Sequence, residues 1–183
     1  MVNKNTLGRA LLALALAPVM AACTAAPASS PSASVAPTPT QTAPTLSPAE
    51  QDLANAKQAV TNLWSVVDRL TNDPQASLQD LDTVASGEAL EFFRKNLTGY
   101  RLEQLTGSGS SVVELQSAQP SGNNSQGVPT WTVTACVDTS DTKLVDPSGK
   151  NVTAPPYRFQ HRSVVVERSG ALRVDQDEVL GTC

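Results

Sequence analysis

Residues 130–138 read TWTVTACVD, and apolar and polar side chains alternate along the whole stretch. The apolar side chains expected on one face are Trp131, Val133, Ala135 and Val137. A period of two is that of a pleated strand with one face against a core. The segment therefore predicts a buried β-strand, and the rest of the fold can be placed around it.

A long helix is predicted well upstream of this strand. Ser47 can cap it, Pro48 suits the first helical position, and Glu50 completes a capping box. Apolar residues then recur every three or four positions, at Ala49, Leu53, Ala56, Val60, Leu63, Trp64, Val67 and Leu70. Asn72, Asp73 and Pro74 end the pattern. The spacing predicts an amphipathic helix with one buried face.

Two further helices are predicted before the strand. Ser77 can cap a short one, and a third runs over residues 88–104, with Leu90, Phe93, Leu97 and Tyr100 on one stripe. Gly107, Ser108, Gly109 and Ser110 predict a loop that closes the helical half.

Strands dominate the remainder of the chain. Alternation or β-branched runs predict strands over residues 111–118, 157–168 and 171–175, and residues 179–183 continue the last edge. Leu144 and Val145 precede a turn at residues 146–149. Ser169 and Gly170 predict a tight hairpin. Helices first and antiparallel strands afterwards predict an α+β domain over residues 47–183.

A family resemblance rests on the element order, on the pattern Trp131-x-Val133-x-Ala135-Cys136-x-Asp138 and on the terminal Cys183. In these features the chain resembles the NTF2-like, or SnoaL-like, group. It is also similar to small lipoproteins of actinobacteria and their phages. The resemblance covers residues 47–183 and implies N-terminal helices packed on a curved antiparallel sheet that forms a cone. Another α+β sandwich is the alternative.

The first 22 residues have the pattern of a signal peptide. Lys4 and Arg9 precede an uncharged run over residues 10–22 that ends in small residues. The run is shorter than the ~20 apolar residues that a membrane-spanning helix needs. Residues 1–22 are therefore expected to direct export.

The end of this run, Met20-Ala21-Ala22-Cys23, resembles a bacterial lipobox. The resemblance implies cleavage after Ala22 and a lipid on Cys23, carrying acyl chains such as palmitate. The protein would then be anchored at the extracytoplasmic face of the cell membrane. An ordinary secreted protein, cut at an A-x-A-like site, is the alternative.

Residues 23–46 form the lipidated cysteine and a linker of Ala, Pro, Ser and Thr without charge. Such a composition cannot bury enough apolar surface to fold. Its prolines favour extended conformations. We expect a spacer that lifts the domain off the membrane.

The charge of the chain argues against nucleic acid as a partner. Without residues 1–22, the 13 basic residues fall to 11, because Lys4 and Arg9 are removed, against 17 acidic residues. Nucleic-acid binding rewards clustered Lys and Arg. The expected partners are the membrane, through the lipid, and an envelope protein or a small ligand.

Cysteine usage predicts one disulfide. With Cys23 lipidated, Cys136 and Cys183 remain as an even pair in an oxidising compartment. One histidine and two separated cysteines do not supply a tetrahedral metal site. Neither a metal nor a cofactor is expected.

Motifs of known catalytic sites are missing from the sequence. There is no G-x-S-x-G, P-loop or H-E-x-x-H pattern. His161, the single histidine, could act as a base if a carboxylate such as Asp138 oriented it. A surface or merely hydrogen-bonded histidine is the simpler interpretation, so no catalytic residue is predicted and the chain is expected not to be an enzyme.

A ligand pocket remains possible inside the cone. Its candidate lining residues are Trp64, Phe93, Tyr100, Trp131 and His161, and the alternative is that the aromatic residues only fill the core. The acidic residues 175–178 are interpreted as a solvated edge.

These observations predict a membrane-anchored, non-enzymatic binding or interaction module at the cell envelope. The alternatives are a small-molecule carrier or sensor that uses the cone pocket, and a secreted NTF2-like enzyme. The sequence specifies no oligomeric state, although a dimer through the sheet is compatible with the resemblance.

Overall fold

The computed structural model describes residues 46–183. The predicted signal peptide, the lipidation site Cys23 and the linker up to Thr45 lie outside the described residues. No helix within the described part is long and apolar enough to cross a membrane.

Helices come first and strands follow, as predicted. The helices are α1 (Pro48–Asn72), a 3-10 helix (Leu78–Thr83) and α2 (Gly87–Leu102). The strands are β1 (Thr106–Ser108), β2 (Val112–Asn123), β3 (Pro129–Asp138), β4 (Lys143–Val145), β5 (Arg158–Arg168) and β6 (Ala171–Thr182). The α+β class is confirmed, with helices packed against a curved antiparallel sheet that does not close.

The start of α1 forms the predicted capping box. The Ser47 hydroxyl accepts from the Glu50 backbone N–H, and the Glu50 carboxylate accepts from the Ser47 backbone N–H at 2.8 Å. Hydrogen bonds from the Ser47 side chain and then its backbone hold the pKa of Glu50 below the usual value. The apolar stripe is buried at Ala56, Val60, Leu63 and Leu70 and partly buried at Trp64 and Val67. Ala49 in the first turn is exposed.

The main sheet has the order β2-β3-β5-β6, so β3, which contains residues 130–138, lies in its interior. Ala135 pairs with Leu115 on one side and with His161 on the other. Val133, Ala135 and Val137 are buried, as the alternation predicted. Because β3 has a neighbour on both edges, its backbone groups are satisfied within the sheet.

A small second sheet corrects one prediction. The segment from Gly107 to Ser110 was expected to be only a loop, but Thr106–Ser108 forms β1 and pairs with β4. Gly107 allows this because its backbone lies against the end of α1, where a Cβ would come within 2.9 Å of the Thr71 carbonyl oxygen. Only glycine fits such an approach.

The last strand is longer than predicted. β6 runs without interruption from Ala171 to Thr182, after a hairpin turn in which Ser169 and Gly170 both have positive φ. Its edge is partly covered, because the Val174 N–H donates to Val84 O and its carbonyl accepts from Ser86 N–H. β6 therefore pairs with β5 along one edge and is hydrogen-bonded to the segment before α2 at Val174 on the other.

The predicted disulfide is present. Cys136 on β3 bonds to Cys183, just past β6, with 6.1 Å between their Cα atoms. β5 lies between these two strands, so the bond joins strands that are not neighbours. It holds the end of β6 to the middle of the sheet.

Candidate functional site

A cavity of about 750 Å³ lies between the two α-helices and the β3, β5 and β6 strands. Its aromatic lining consists of Trp64, Phe92, Phe93, Tyr100 and Phe159, and its aliphatic lining of Val67, Leu97, Val137 and Val179. The polar lining residues are Glu88, Asn96, Thr139, His161, Gln176, Asp177 and Glu178. Phe92 and Val179 are about half exposed, so an apolar rim faces solvent.

Perpendicular ring contacts build one wall. Trp64 from α1 meets Phe93 from α2 at 5.6 Å between centroids, and meets the His161 ring from β5 at 5.1 Å. Phe92 and Phe93 are also edge to face, at 5.2 Å. Such T-shaped contacts are favoured by the ring quadrupoles. Trp64 thus connects both helices to the sheet at the cavity.

A buried Asp–His pair forms the polar part of the wall. Asp177 Oδ2 lies 2.8 Å from His161 Nδ1, and the Ser163 hydroxyl donates to Asp177 Oδ1 at 2.6 Å. The side chains of His161 and Asp177 are only 8% and 2% exposed. Buried polar groups need partners of this kind, because an unpaired one costs free energy.

The carboxylate also determines which way the imidazole presents its nitrogens. An ionised carboxylate only accepts hydrogen bonds, so Nδ1 carries a proton, and whenever the ring is neutral its Nε2 is the acceptor. Among the described residues, Nε2 makes no hydrogen bond, while His161 lines the cavity. The cavity therefore offers one oriented acceptor to a ligand.

His161 is hydrogen-bonded, in keeping with the simpler interpretation of the sequence, but the carboxylate is Asp177 and not Asp138. Asp138 was considered for this role, but its carboxylate accepts from the Ser140 N–H at 2.9 Å and pairs with Arg158 at 3.2 Å. The Ser140 hydrogen bonds, and to a lesser extent Arg158, hold the pKa of Asp138 below its usual value. Asp138 is level with Arg158 on β5, three residues away from His161.

The acidic residues 175–178 are also not simply a solvated edge. Asp177 is buried as described, and Asp175 accepts from the Ser86 hydroxyl at 2.7 Å. Glu178 borders the cavity, but its carboxylate is exposed and pairs with Arg162 on the outer face of the sheet. The alternation of β6 thus turns part of this acidic run into the domain.

Four of the predicted pocket residues meet at the cavity, namely Trp64, Phe93, Tyr100 and His161. Trp131 does not line it; it sits in β3 level with Pro120 and Val165 and packs against the core. Sequence reasoning missed Phe92, Phe159 and Asp177. Phe159 could have been found, since it lies two residues from His161 on the same strand face.

A metal centre has no obvious place in residues 46–183, where no three His, Cys, Asp or Glu side chains cluster.

Comparison with known proteins yields distant likenesses. No protein-family model and no curated protein matches the chain. The intermembrane space region of the chloroplast protein ARC6 is 14% identical, with a TM-score of 0.48 over 72% of this chain and 98% of that one. Aln2 from a Streptomyces species is 16% identical, with a TM-score of 0.38 over 73% and 91%. A periplasmic fragment of TraM is 15% identical, with a TM-score of 0.39 over 73% and 97%. These likenesses are too distant to assign a function.

Proposed function

We propose that the protein is an exported lipoprotein whose folded domain binds a small, partly apolar ligand in the cavity without converting it. The observation that carries the proposal is the aromatic cavity with the buried Asp177–His161 pair in its wall. A domain of this kind would act at the cell envelope as a carrier or sensor.

The size and chemistry of the cavity support a small ligand over a purely protein-binding surface. Ligand sites typically enclose roughly 300–1,000 Å³ and combine apolar walls with a few placed polar groups. Here the cavity of about 750 Å³ has aromatic walls and the acceptor Nε2 of His161. An interaction module that met only proteins would not need a recess of this depth lined by aromatic rings.

Export is supported by two independent features. The first 23 residues combine a cationic start, an apolar run and a lipobox-like end. The folded domain holds a disulfide, and such bonds persist in oxidising compartments. Both features favour the extracytoplasmic face of the membrane.

The first experiment measures whether the cavity is a binding site. Asn96 lines the cavity from α2, whereas its neighbour Lys95 is exposed and does not line it. We expect Asn96→Phe to reduce binding of the apolar fluorophore N-phenylnaphthylamine at least about tenfold. Lys95→Phe introduces the same ring on the same helix and should leave binding unchanged. Equal binding by both variants would overturn the proposal.

A second experiment tests the anchor. Intact mass and membrane fractionation of the native chain should show a lipid on Cys23 and retention in the membrane. Cys23→Ala should release the protein into the soluble fraction. A native chain that is cut near Ala22 but carries no lipid would instead indicate a secreted protein.

An enzymatic role is the second candidate, and the Asp177–His161 pair specifically favours it. A histidine oriented by a carboxylate can act as a general base towards a bound substrate. Incubation with the ligand that co-purifies, followed by mass spectrometry, separates the two roles. Unchanged ligand supports binding; conversion that His161→Gln abolishes would establish catalysis.

A further inference from the structure

The charged residues around the cavity are all of one sign. Its lining contains Glu88, Asp177 and Glu178 but neither Lys nor Arg. Glu178 is compensated by Arg162 on the outer side of the sheet. Asp177 is hydrogen-bonded to His161, and Glu88 forms no ion pair within residues 46–183, so one carboxylate of the lining has no basic partner there. The cavity therefore keeps a net negative charge.

The aromatic wall adds a second attraction for positive charge. A ring carries a negative face, and a cation within about 6 Å of the ring centroid is stabilised by it, most strongly at Trp. Trp64, Tyr100 and the three phenylalanines surround the same space. Partial exclusion of water strengthens such contacts.

His161 provides a hydrogen-bonding atom that can orient a bound ligand. In the neutral ring Nε2 has a free lone pair, and the Asp177 carboxylate at Nδ1 raises the electron density of the ring. An N–H donor with positive charge fits this acceptor. A carboxylate or phosphate would meet a lone pair and uncompensated negative charge, which costs free energy.

We propose that the cavity is selective for a protonated organic amine with an apolar or aromatic body. This inference rests on the proposed function, since it specifies the ligand of the same cavity. The amine nitrogen donates to His161 Nε2, Glu88 lies at the same cavity to balance its charge, and the apolar body lies among the rings.

The test uses three probes with the same apolar body: phenylbutylamine, phenylbutanol and phenylbutanoate. Their affinities for the full chain carrying Cys23→Ala are measured by titration calorimetry at neutral pH. We expect the amine to bind at least about tenfold more tightly than the alcohol, and the carboxylate to bind most weakly.

The outcomes separate this inference from the proposed function. Equal affinities, or tighter binding of the alcohol or the carboxylate, would overturn amine selectivity while the cavity remained a binding site. Binding of N-phenylnaphthylamine without any binding of phenylbutylamine would overturn it as well. If Asn96→Phe has no effect on any probe, the cavity itself is not the site and both proposals fail.

Two variants test separately the negative charge of the cavity and the hydrogen bond that the ligand donates to His161. Glu88→Gln on the exposed first turn of α2 should weaken the amine several-fold and leave the alcohol unchanged. Asp177→Asn can donate to Nδ1, which moves the ring proton to Nε2 and turns the acceptor into a donor. In that variant the amine should lose its advantage over the carboxylate.

Asp138→Asn is the matched control for Asp177→Asn, because Asp138 lies outside the cavity lining and does not contact His161. We expect it to keep the order of the three affinities. If Asp177→Asn does not fold, the Glu88→Gln variant still tests whether the cavity recognises the charge of the amine. An equal loss of affinity for the amine and the alcohol would contradict a role of Glu88 in that recognition.

Discussion

The helix α1 packs against the sheet in two different ways. In the first region, its residues Ala56, Val60 and Leu63 belong to the buried core. Their partners on the sheet include Val133 and Val165. Trp64, the residue after Leu63, and Val67, one turn further along the same helix, border the cavity instead. The first region is filled by small aliphatic side chains that interdigitate. The second holds large rings and a buried polar pair, and its space is left open.

The difference separates packing that stabilises the fold from the cavity that we propose binds a ligand. Aliphatic packing stabilises the fold at little cost, whereas an open cavity forgoes contacts that neighbouring atoms would otherwise make. The buried Asp177 and His161 carry a further desolvation cost, which their mutual hydrogen bond offsets. A protein that keeps both features at one place is expected to use that place for binding.

The largest effect tests how the cavity region is held together. Replacing Cys136 and Cys183 together by Ala removes the bond that ties the end of β6 to β3. For a sequence separation of 47, the chain-entropy model gives a loss of about 4 kcal/mol in the free energy of unfolding. Urea denaturation measures it, with the reduced native chain as a control. A loss below about 1 kcal/mol would show that β6 is held by its strand pairing alone.

The next effect concerns the filled region. Leu63 is fully buried, so Leu63→Ala should cost about 3 kcal/mol of unfolding free energy. Ligand affinity measured well below the unfolding transition should change by less than about threefold. A tenfold loss of affinity without loss of stability would mean that the two regions are not separate.

The converse effect is expected at the rim of the cavity. Phe92 is 52% exposed, so Phe92→Ala should change stability by no more than about 0.5 kcal/mol. It lines the cavity, and its removal should weaken phenylbutylamine several-fold. Exposed Leu102 at the end of α2 provides the control, because Leu102→Ala removes an apolar side chain that does not line the cavity.

The smallest effect uses the two tryptophans as reporters of the two regions. Trp64 lines the cavity, and Trp131 packs against the core elsewhere. In Trp131→Phe, ligand should still change the fluorescence, and the affinity should stay as in the parent chain. In Trp64→Phe the fluorescence change should disappear. A signal that follows Trp131 would place the ligand away from the cavity.

Much of the fold could be predicted because its signals are local. The capping box from Ser47 to Glu50 and the three-to-four spacing after it specify α1, and the alternation of residues 130–138 specifies β3. The pairing of Cys136 and Cys183 followed from their number and the expected compartment. None of these predictions required knowledge of distant neighbours.

The candidate site could be predicted only in part. Alternation placed Trp131 on the same face as Val133, but it carries no information on which end of the strand lies over the cavity. The choice between Asp138 and Asp177 depended on the β3–β5 register, which is regular, and on the β5–β6 register, which is shifted at two points. A shift of one residue would have turned Asp177 to the outer face.

The sequence by itself determined the helices-then-strands order of the main elements, the buried faces of α1 and β3, and the identity of the disulfide, because each depends on short-range periodicity or on residue counting. Only the tertiary structure decided that Asp177 orients His161 and that both face an aromatic cavity. These contacts join α1, α2, β5 and β6, and their geometry depends on register and packing between segments far apart in the chain.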